Sequence, residues 1–291
     1  MPIEALAMVL CAALIHASWN FWMKKAAAPP VPFTFAVSLT MVVGYAPLAL
    51  VLYHDQIGHI AASGWTVIAA SAVLHVVYFL VLQRGYARAD LSIVYPVARG
   101  VGPLLSALVA MAWLGETPSL ASVVGLLLIV AGTFTIAGGW SLVTRRDASA
   151  RTLTGVGWGA ATGLCIASYT VNDGYAVRLL GIAPILFDWL SFLLRTALVA
   201  PMAWRERAQI MPMMKRSGRY VIAIGMISPV AYILVLTAMK SAPISHVAPA
   251  REVSMLFAAF LGARMLGEGE LARRLLGAAL IAGGVVGLTL A

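Results

Sequence analysis

The sequence predicts an all-α polytopic membrane protein, ten transmembrane helices arranged as two inverted five-helix repeats. Three observations carry this: an apolar composition, apolar runs of membrane-crossing length, and self-similarity at one constant offset. Hydrophobic residues make up 62% of the chain and charged residues only 11%, against roughly 25% charged in soluble domains. The stretch Leu91 to Glu116 recurs 152 positions later, with Ala98-Arg99 on Ala250-Arg251 and Leu114-Gly115-Glu116 on Leu266-Gly267-Glu268.

Windows of about 20 apolar residues match the ~30 Å hydrocarbon core. They place spans at Ile3 to Met23, Val31 to Leu52, Trp65 to Leu82, Leu91 to Leu114 and Leu120 to Gly138 in the first half. The second half gives Leu153 to Val171, Pro184 to Trp204, Tyr220 to Met239, Ile244 to Ala263 and Leu275 to Leu290. Breakers mark the joints, as at Ala28-Pro29-Pro30, Glu116-Thr117-Pro118 and Gly267-Glu268-Gly269. The charged run from Ser141 to Thr152 reads as a linker between repeat 1, about residues 1–140, and repeat 2, about 153–291, of a single membrane domain.

The same offset sets Asn20 on Asn172, Pro32 on Pro184, Phe35 on Phe187, Gly125 on Gly277 and Gly132 on Gly284. Five spans per half is an odd number, so the second half must enter the membrane from the opposite side. That relation underlies alternating access. The Met-Pro-Ile-Glu start lacks a basic n-region and a small-residue cleavage site, so the first apolar run is expected to be a retained span.

Lysine and arginine set the orientation. Loops after odd-numbered spans hold Lys24, Lys25, Arg84, Arg88, Arg145, Arg146, Arg151, Arg205, Arg207, Lys215, Arg216, Arg219, Arg264, Arg273 and Arg274, whereas the other side holds only Arg178 and Lys240. Both termini are therefore expected on the periplasmic face of a bacterial inner membrane. The net charge of +9 reflects this loop bias. No basic segment with interleaved aromatics points to nucleic acid.

Two five-helix halves, Trp19-Asn20 followed by Lys24 at the end of the first span, and Leu-Gly-Glu closing the fourth and ninth spans together resemble the EamA branch of the drug/metabolite transporter superfamily. The resemblance covers nearly the whole chain. It implies a secondary transporter of small metabolites. Among members of known function the chain resembles the YddG type, which exports aromatic amino acids and related compounds. The superfamily also includes carriers of sugar phosphates and nucleotide sugars. Arg99 and Arg251 depart from the many members that are apolar there, and the charge bias places the termini opposite to many members.

Polar residues recurring at helical spacing define candidate cavity faces. His16, Trp19, Asn20 and Met23 share one face of the first span, Ser168 and Asn172, with Tyr169 beside them, that of the sixth; Ser71, His75, Tyr78 and Leu82 line up in the third, Ser228 and Tyr232 in the eighth. The expected substrate-binding set is His16, Trp19, Asn20, His75, Tyr78, Tyr95, Arg99, Asn172, Tyr232 and Arg251. An arginine at mid-span costs roughly 2.5–3.5 kcal/mol on insertion scales. Arg99 and Arg251 should therefore face protein or water, either pairing with Glu252 or Asp188 or holding an anionic group of the cargo.

Asp173, Asp188, Glu252, His16 and His75 are candidates for proton exchange, whereas Glu116 and Glu268, at loop edges, suit helix capping. Glycines in the fifth and tenth spans suit close packing within the chain or a dimer contact, and Pro229 and Pro249 suit bends. Trp65, Trp113, Trp140 and Trp204 suit interfacial anchoring. Cys11 and Cys165 form neither a disulfide framework nor a metal motif. No catalytic group, metal site or cofactor is expected: neither a phosphate-binding Gly-rich Lys-Ser/Thr loop nor a His-Glu-x-x-His motif occurs. The expected partners are a small-molecule substrate and the lipid bilayer, with the protein a monomer or homodimer.

Overall fold

The computed structural model describes residues 1–137, 150–257 and 271–290. Its helices are α1 (Ile3–Ala26), α2 (Pro30–His59), α3 (Ala62–Arg88), α4 (Leu91–Trp113), α5 (Leu120–Ile136), α6 (Ala150–Arg178), α7 (Pro184–Arg205), α8 (Ile210–Ser241), α9 (Ile244–Ala250) and α10 (Leu271–Leu290). No strand occurs among the described residues. Seven of the helical segments are long and apolar enough to cross a membrane. Helix α5 is apolar but shorter, at 17 residues, and α6 is long but more polar.

Helices begin and end where the residues dictate. Pro30 and Pro184 sit in the first turn of α2 and α7, where the missing N–H costs nothing. Ser119 caps α5, its hydroxyl accepting from the Ser122 amide at 3.1 Å. Several helices outrun the apolar windows: α2 continues to His59 and α8 starts at Ile210, since hydropathy marks the lipid-contacting part and not the last helical turn.

The ninth span differs more. A continuous helix from Ile244 was expected, but the α-helical backbone gives way at Ala250 to a 3-10 turn, Arg251–Val253, and resumes over 254–257. Pro249 lies at this junction, in keeping with a bend. The remainder of that span, the second Leu-Gly-Glu, Gly138, Gly139, Trp140 and most of the linker lie outside the described residues.

The crossing of α5 and α10 shows how the halves are related. A side-chain carbon placed at Gly125 would lie 2.7 Å from the Gly284 carbonyl, and one at Gly132 would lie 2.6 Å from that of Gly277. At a shift of 152, Gly125 becomes Gly277 and Gly284 becomes Gly132, so each contact is the image of the other. Increasing numbers on one helix meet decreasing numbers on its partner. The pair is antiparallel, and a two-fold axis crosses it at right angles. These glycines join α5 to α10 within one chain; Gly283, with open space around it, is not part of the contact.

Other helix pairs obey the same exchange. Helix α1 packs on α8 as α6 does on α3; α2 packs on α8 as α7 does on α3; α2 meets α7, and α4 meets α9. Burial corrects the register of one pair. Gly155, Gly159 and Gly163 of α6 press on Ile93, Val97 and Val101 of α4, each with a would-be side-chain carbon at 2.7 Å. The buried face of α1 is Ala5, Val9 and Ala13, which corresponds at an offset of 150. This sets Ala17-Ser18-Trp19 on Ala167-Ser168-Tyr169, so Trp19 corresponds to Tyr169 and Asn20 to Thr170, not Asn172. Two extra residues lie between Tyr169 and Pro184, near the turn where Gly181 takes φ +67°.

The Leu-Gly-Glu motif of the first half is a turn with a purpose. Gly115 adopts φ +67°, a conformation that favours glycine. Beyond it, Glu116 accepts from the amides of Ile244 at 2.8 Å and Ser245 at 2.9 Å, while Arg178 donates to its Oε1 at 2.6 Å. Glu116 thus caps α9, the capping role expected of it. One turn on, His246 Nε2 lies 3.0 Å from the Ser122 hydroxyl, which ties α9 to α5.

Candidate substrate site

The two repeat-related arginines meet different surroundings. Arg99 Nη2 lies 2.8 Å from Glu252 Oε2 and donates to the Ser254 hydroxyl at 3.4 Å. Arg251 forms no ion pair among the described residues; its guanidinium lies 5.5 Å from the centre of the Tyr232 ring. The asymmetry has a sequence cause, because the repeat equivalent of Glu252 is Gly100. One arginine is ion-paired within its own protein, and the other lies beside a ring that attracts cations.

Tyr232 leads from Arg251 into a polar nest built by α3, α6 and α8. Its hydroxyl donates to Asp173 Oδ2 at 2.5 Å, and the Asn172 amide donates to Asp173 Oδ1 and to the Val67 carbonyl, both at 3.0 Å. His75 stacks on Tyr169 at 4.1 Å and meets the Tyr232 ring edge-on at 5.9 Å, while Tyr78 meets Tyr169 edge-on at 5.7 Å. Four aromatic rings and a buried carboxylate thus share one locus near Arg251. Flat apolar surfaces with polar edges suit an amphipathic or aromatic solute.

Of the sequence-predicted residues, His75, Tyr78, Asn172, Tyr232 and Arg251 are brought together here. His16 and Trp19 form a separate edge-to-face pair at 4.8 Å, with His16 in electrostatic range of both Arg99 and Arg251. Asn20 bonds within its own helix, donating to the His16 carbonyl at 2.7 Å. Ser168 likewise donates to its own helix, to Leu164. Tyr95 packs beside the main apolar core, one turn before Arg99. Arg99 is held by Glu252.

Tyr169 and Asp173 stand at the centre of the nest yet fall outside the predicted set. A register of 150 over the first span of each half would have found Tyr169, the counterpart of Trp19. For Asp173 the signal was a lone acid in an apolar window, which is expensive in lipid. Two further charged residues lie on α7, Asp188 buried and Arg195 partly buried. Asp188 and Arg195 are two turns apart, with Asp188 Oδ1 and Arg195 Nε and Nη2 lacking protein partners. Asp188 lines a narrow crevice with Tyr45, Trp189, Phe192 and Pro229, and Arg195 lies over the Phe192 ring at 3.8 Å.

The EamA-like transporter family matches this chain twice, over residues 3–138 and 153–290. The chain belongs to that family. The two matches start 150 residues apart and end 152 apart, which agrees with the register change seen in the packing. As an EamA-like transporter it is a multi-pass membrane protein that moves small solutes. A solved structure described only as "Crystal structure of protein" shares its fold, with a TM-score of 0.76 over 98% of each chain at 18% identity. Among curated proteins, none matches the chain.

Proposed function

We propose that this EamA-like transporter exports small carboxylate-bearing metabolites, aromatic and other hydrophobic amino acids foremost, across the bacterial inner membrane. In this reading all ten helices cross the membrane as two inverted halves, and access to the nest alternates between the two faces. The observation that carries the reading is Arg251, a partly buried guanidinium with no carboxylate partner among the described residues, set over Tyr232 at the edge of an aromatic cluster. A cargo carboxylate there accepts a forked pair of hydrogen bonds, while its side chain packs against Tyr78 and Tyr169. A phosphorylated cargo, the competing reading, carries more charge and calls for more than one available cation. Arg99 is already engaged by Glu252.

Counterflow into proteoliposomes tests the reading directly. Phenylalanine inside should accelerate uptake of labelled phenylalanine, and glucose 6-phosphate should not. Acceleration by the sugar phosphate alone would reverse the assignment. The distribution of lysine and arginine supports periplasmic termini. A reporter active only in the cytoplasm, fused after Ala291, is therefore expected to be silent. A bright fusion would turn the protein over in the membrane without disturbing its internal symmetry.

A further inference from the structure

One buried pair in the nest has properties that carboxylate recognition does not call for. Asp173 is fully buried, and no lysine or arginine of the described residues forms an ion pair with it. Its oxygens accept from Tyr232 and Asn172, and the basic nitrogen facing it is His75 Nε2, 4.0 Å from Oδ2. On the far side of the ring, His75 Nδ1 lies 2.8 Å from the Ser71 carbonyl. A carbonyl only accepts, so Nδ1 carries the hydrogen and Nε2 is left as the base turned toward the carboxylate.

We propose that His75 and Asp173 together bind one proton, and that this proton competes with the positively charged group of the cargo, making the protein a proton/cargo exchanger. The inference rests on the transport reading above and adds to it the identity of the counter-ion. A proton arriving from water forms an N–H bond at Nε2 and creates an imidazolium facing Asp173. When it leaves, that N–H bond breaks, the electron pair returns to Nε2 and the carboxylate is left without a cation. An amino-acid ammonium fills the same need. Tyr232 links the two positions, with its hydroxyl on Asp173 and its ring beside Arg251, so a zwitterion seated on Arg251 by its carboxylate can present its ammonium to Asp173.

Neighbouring charge keeps the two cations from binding together. The groups around the pair are Ser71 and Tyr78 of α3, Tyr169 and Asn172 of α6, Tyr232 of α8, Asp188 and Arg195 of α7, and Arg251 beyond α9. Arg195 lies in electrostatic range of both His75 and Asp173. Arg195 and Arg251 already place positive charge within electrostatic range of His75, so a second added cation beside Asp173 meets repulsion. A single added cation pairs with Asp173, and a second has no partner.

The test uses reconstituted protein, labelled phenylalanine and an internal pH dye. The half-saturation concentration for phenylalanine should rise up to tenfold per unit fall in pH below the histidine midpoint, the limit for one competing proton. An outward phenylalanine gradient should drive proton movement the other way. In His75→Gln the number of protons moved per phenylalanine should fall to zero, whatever the transport rate. Proton movement unchanged in that variant, or phenylalanine counterflow in the unmodified protein with no proton movement, overturns the proposal. A cargo-independent readout separates it from the transport reading: ¹⁵N-histidine NMR of detergent-solubilised protein should show His75 taking up one proton, with a midpoint displaced by Asp173→Asn. A histidine that does not titrate, or an unmoved midpoint, also overturns the proposal; absence of phenylalanine counterflow with a displaced midpoint would count against the cargo reading alone.

Discussion

Arg251→Lys should raise the half-saturation concentration for phenylalanine about ten- to a hundredfold while changing that for phenylalaninamide little. Lysine preserves the charge but not the planar fork, so a carboxylate seated on two parallel N–H donors loses one of them and the geometry of the other. A hydrogen bond to a charged group contributes about 1.5–3 kcal/mol net, and each 1.4 kcal/mol is a factor of ten. The amide has no carboxylate to lose. Arg99→Lys provides the contrast, because Arg99 is committed to Glu252 and Ser254: its loss should affect both compounds alike, through the packing of α4 against α9. Parallel initial-rate series for the two compounds decide the matter. Equal losses in Arg251→Lys would remove Arg251 from cargo recognition.

Glu116→Ala is expected to lower the apparent melting temperature in detergent by about 5–10 °C. One side chain accepts the two leading amides of α9 and pairs with Arg178, and its removal leaves those amides without their acceptor. Two charge-assisted bonds together contribute about 3 kcal/mol, and 1 kcal/mol corresponds to roughly 2–4 °C for a chain of 150–250 residues. The Arg178 contribution is the smaller part, since that side chain is 33% exposed and exposed pairs add little. Arg178→Ala should therefore shift the midpoint by only a degree or two. Glu116→Gln, which keeps an acceptor oxygen, should recover part of the loss. Because α9 leads directly into the turn bearing Arg251, Glu116→Ala should also weaken phenylalanine transport. A melting temperature within a degree of the unmodified protein's would show that α9 is held in place by other contacts.

Much of the architecture was legible in the sequence because lipid is a strict solvent: it demands apolar runs of one length and leaves polar residues conspicuous. The repeat was legible from Gly125, Gly132, Gly277 and Gly284, where backbones touch and no side chain fits. The register of the first span in each half was not. When every position of a helix is apolar, a shift of two residues costs nothing visible in the sequence, and the coincidence of Asn20 with Asn172 outweighed the better match of Trp19 with Tyr169. The arginines stand out in the sequence as expensive charges, and Glu252 is one of the acids it offers them as partners. That Glu252 pairs with Arg99 and leaves Arg251 without an ion pair among the described residues goes with the 3-10 turn after Ala250, which hydropathy does not register. Asp173 was singled out as a proton candidate, but its bond to Tyr232 spans 59 positions of sequence and needs the packed bundle to be seen.

The self-matching contact of α5 with α10 also has the form of a dimer interface. A surface that touches its own copy across a two-fold axis is what joins the subunits of a homodimer, and the two halves of this chain meet through a contact of that kind. Within one chain the halves need not be identical: one has an acid at position 252 where the other has Gly100. A symmetric dimer must give both arginines the same neighbour; a single chain can pair the first and reserve the second.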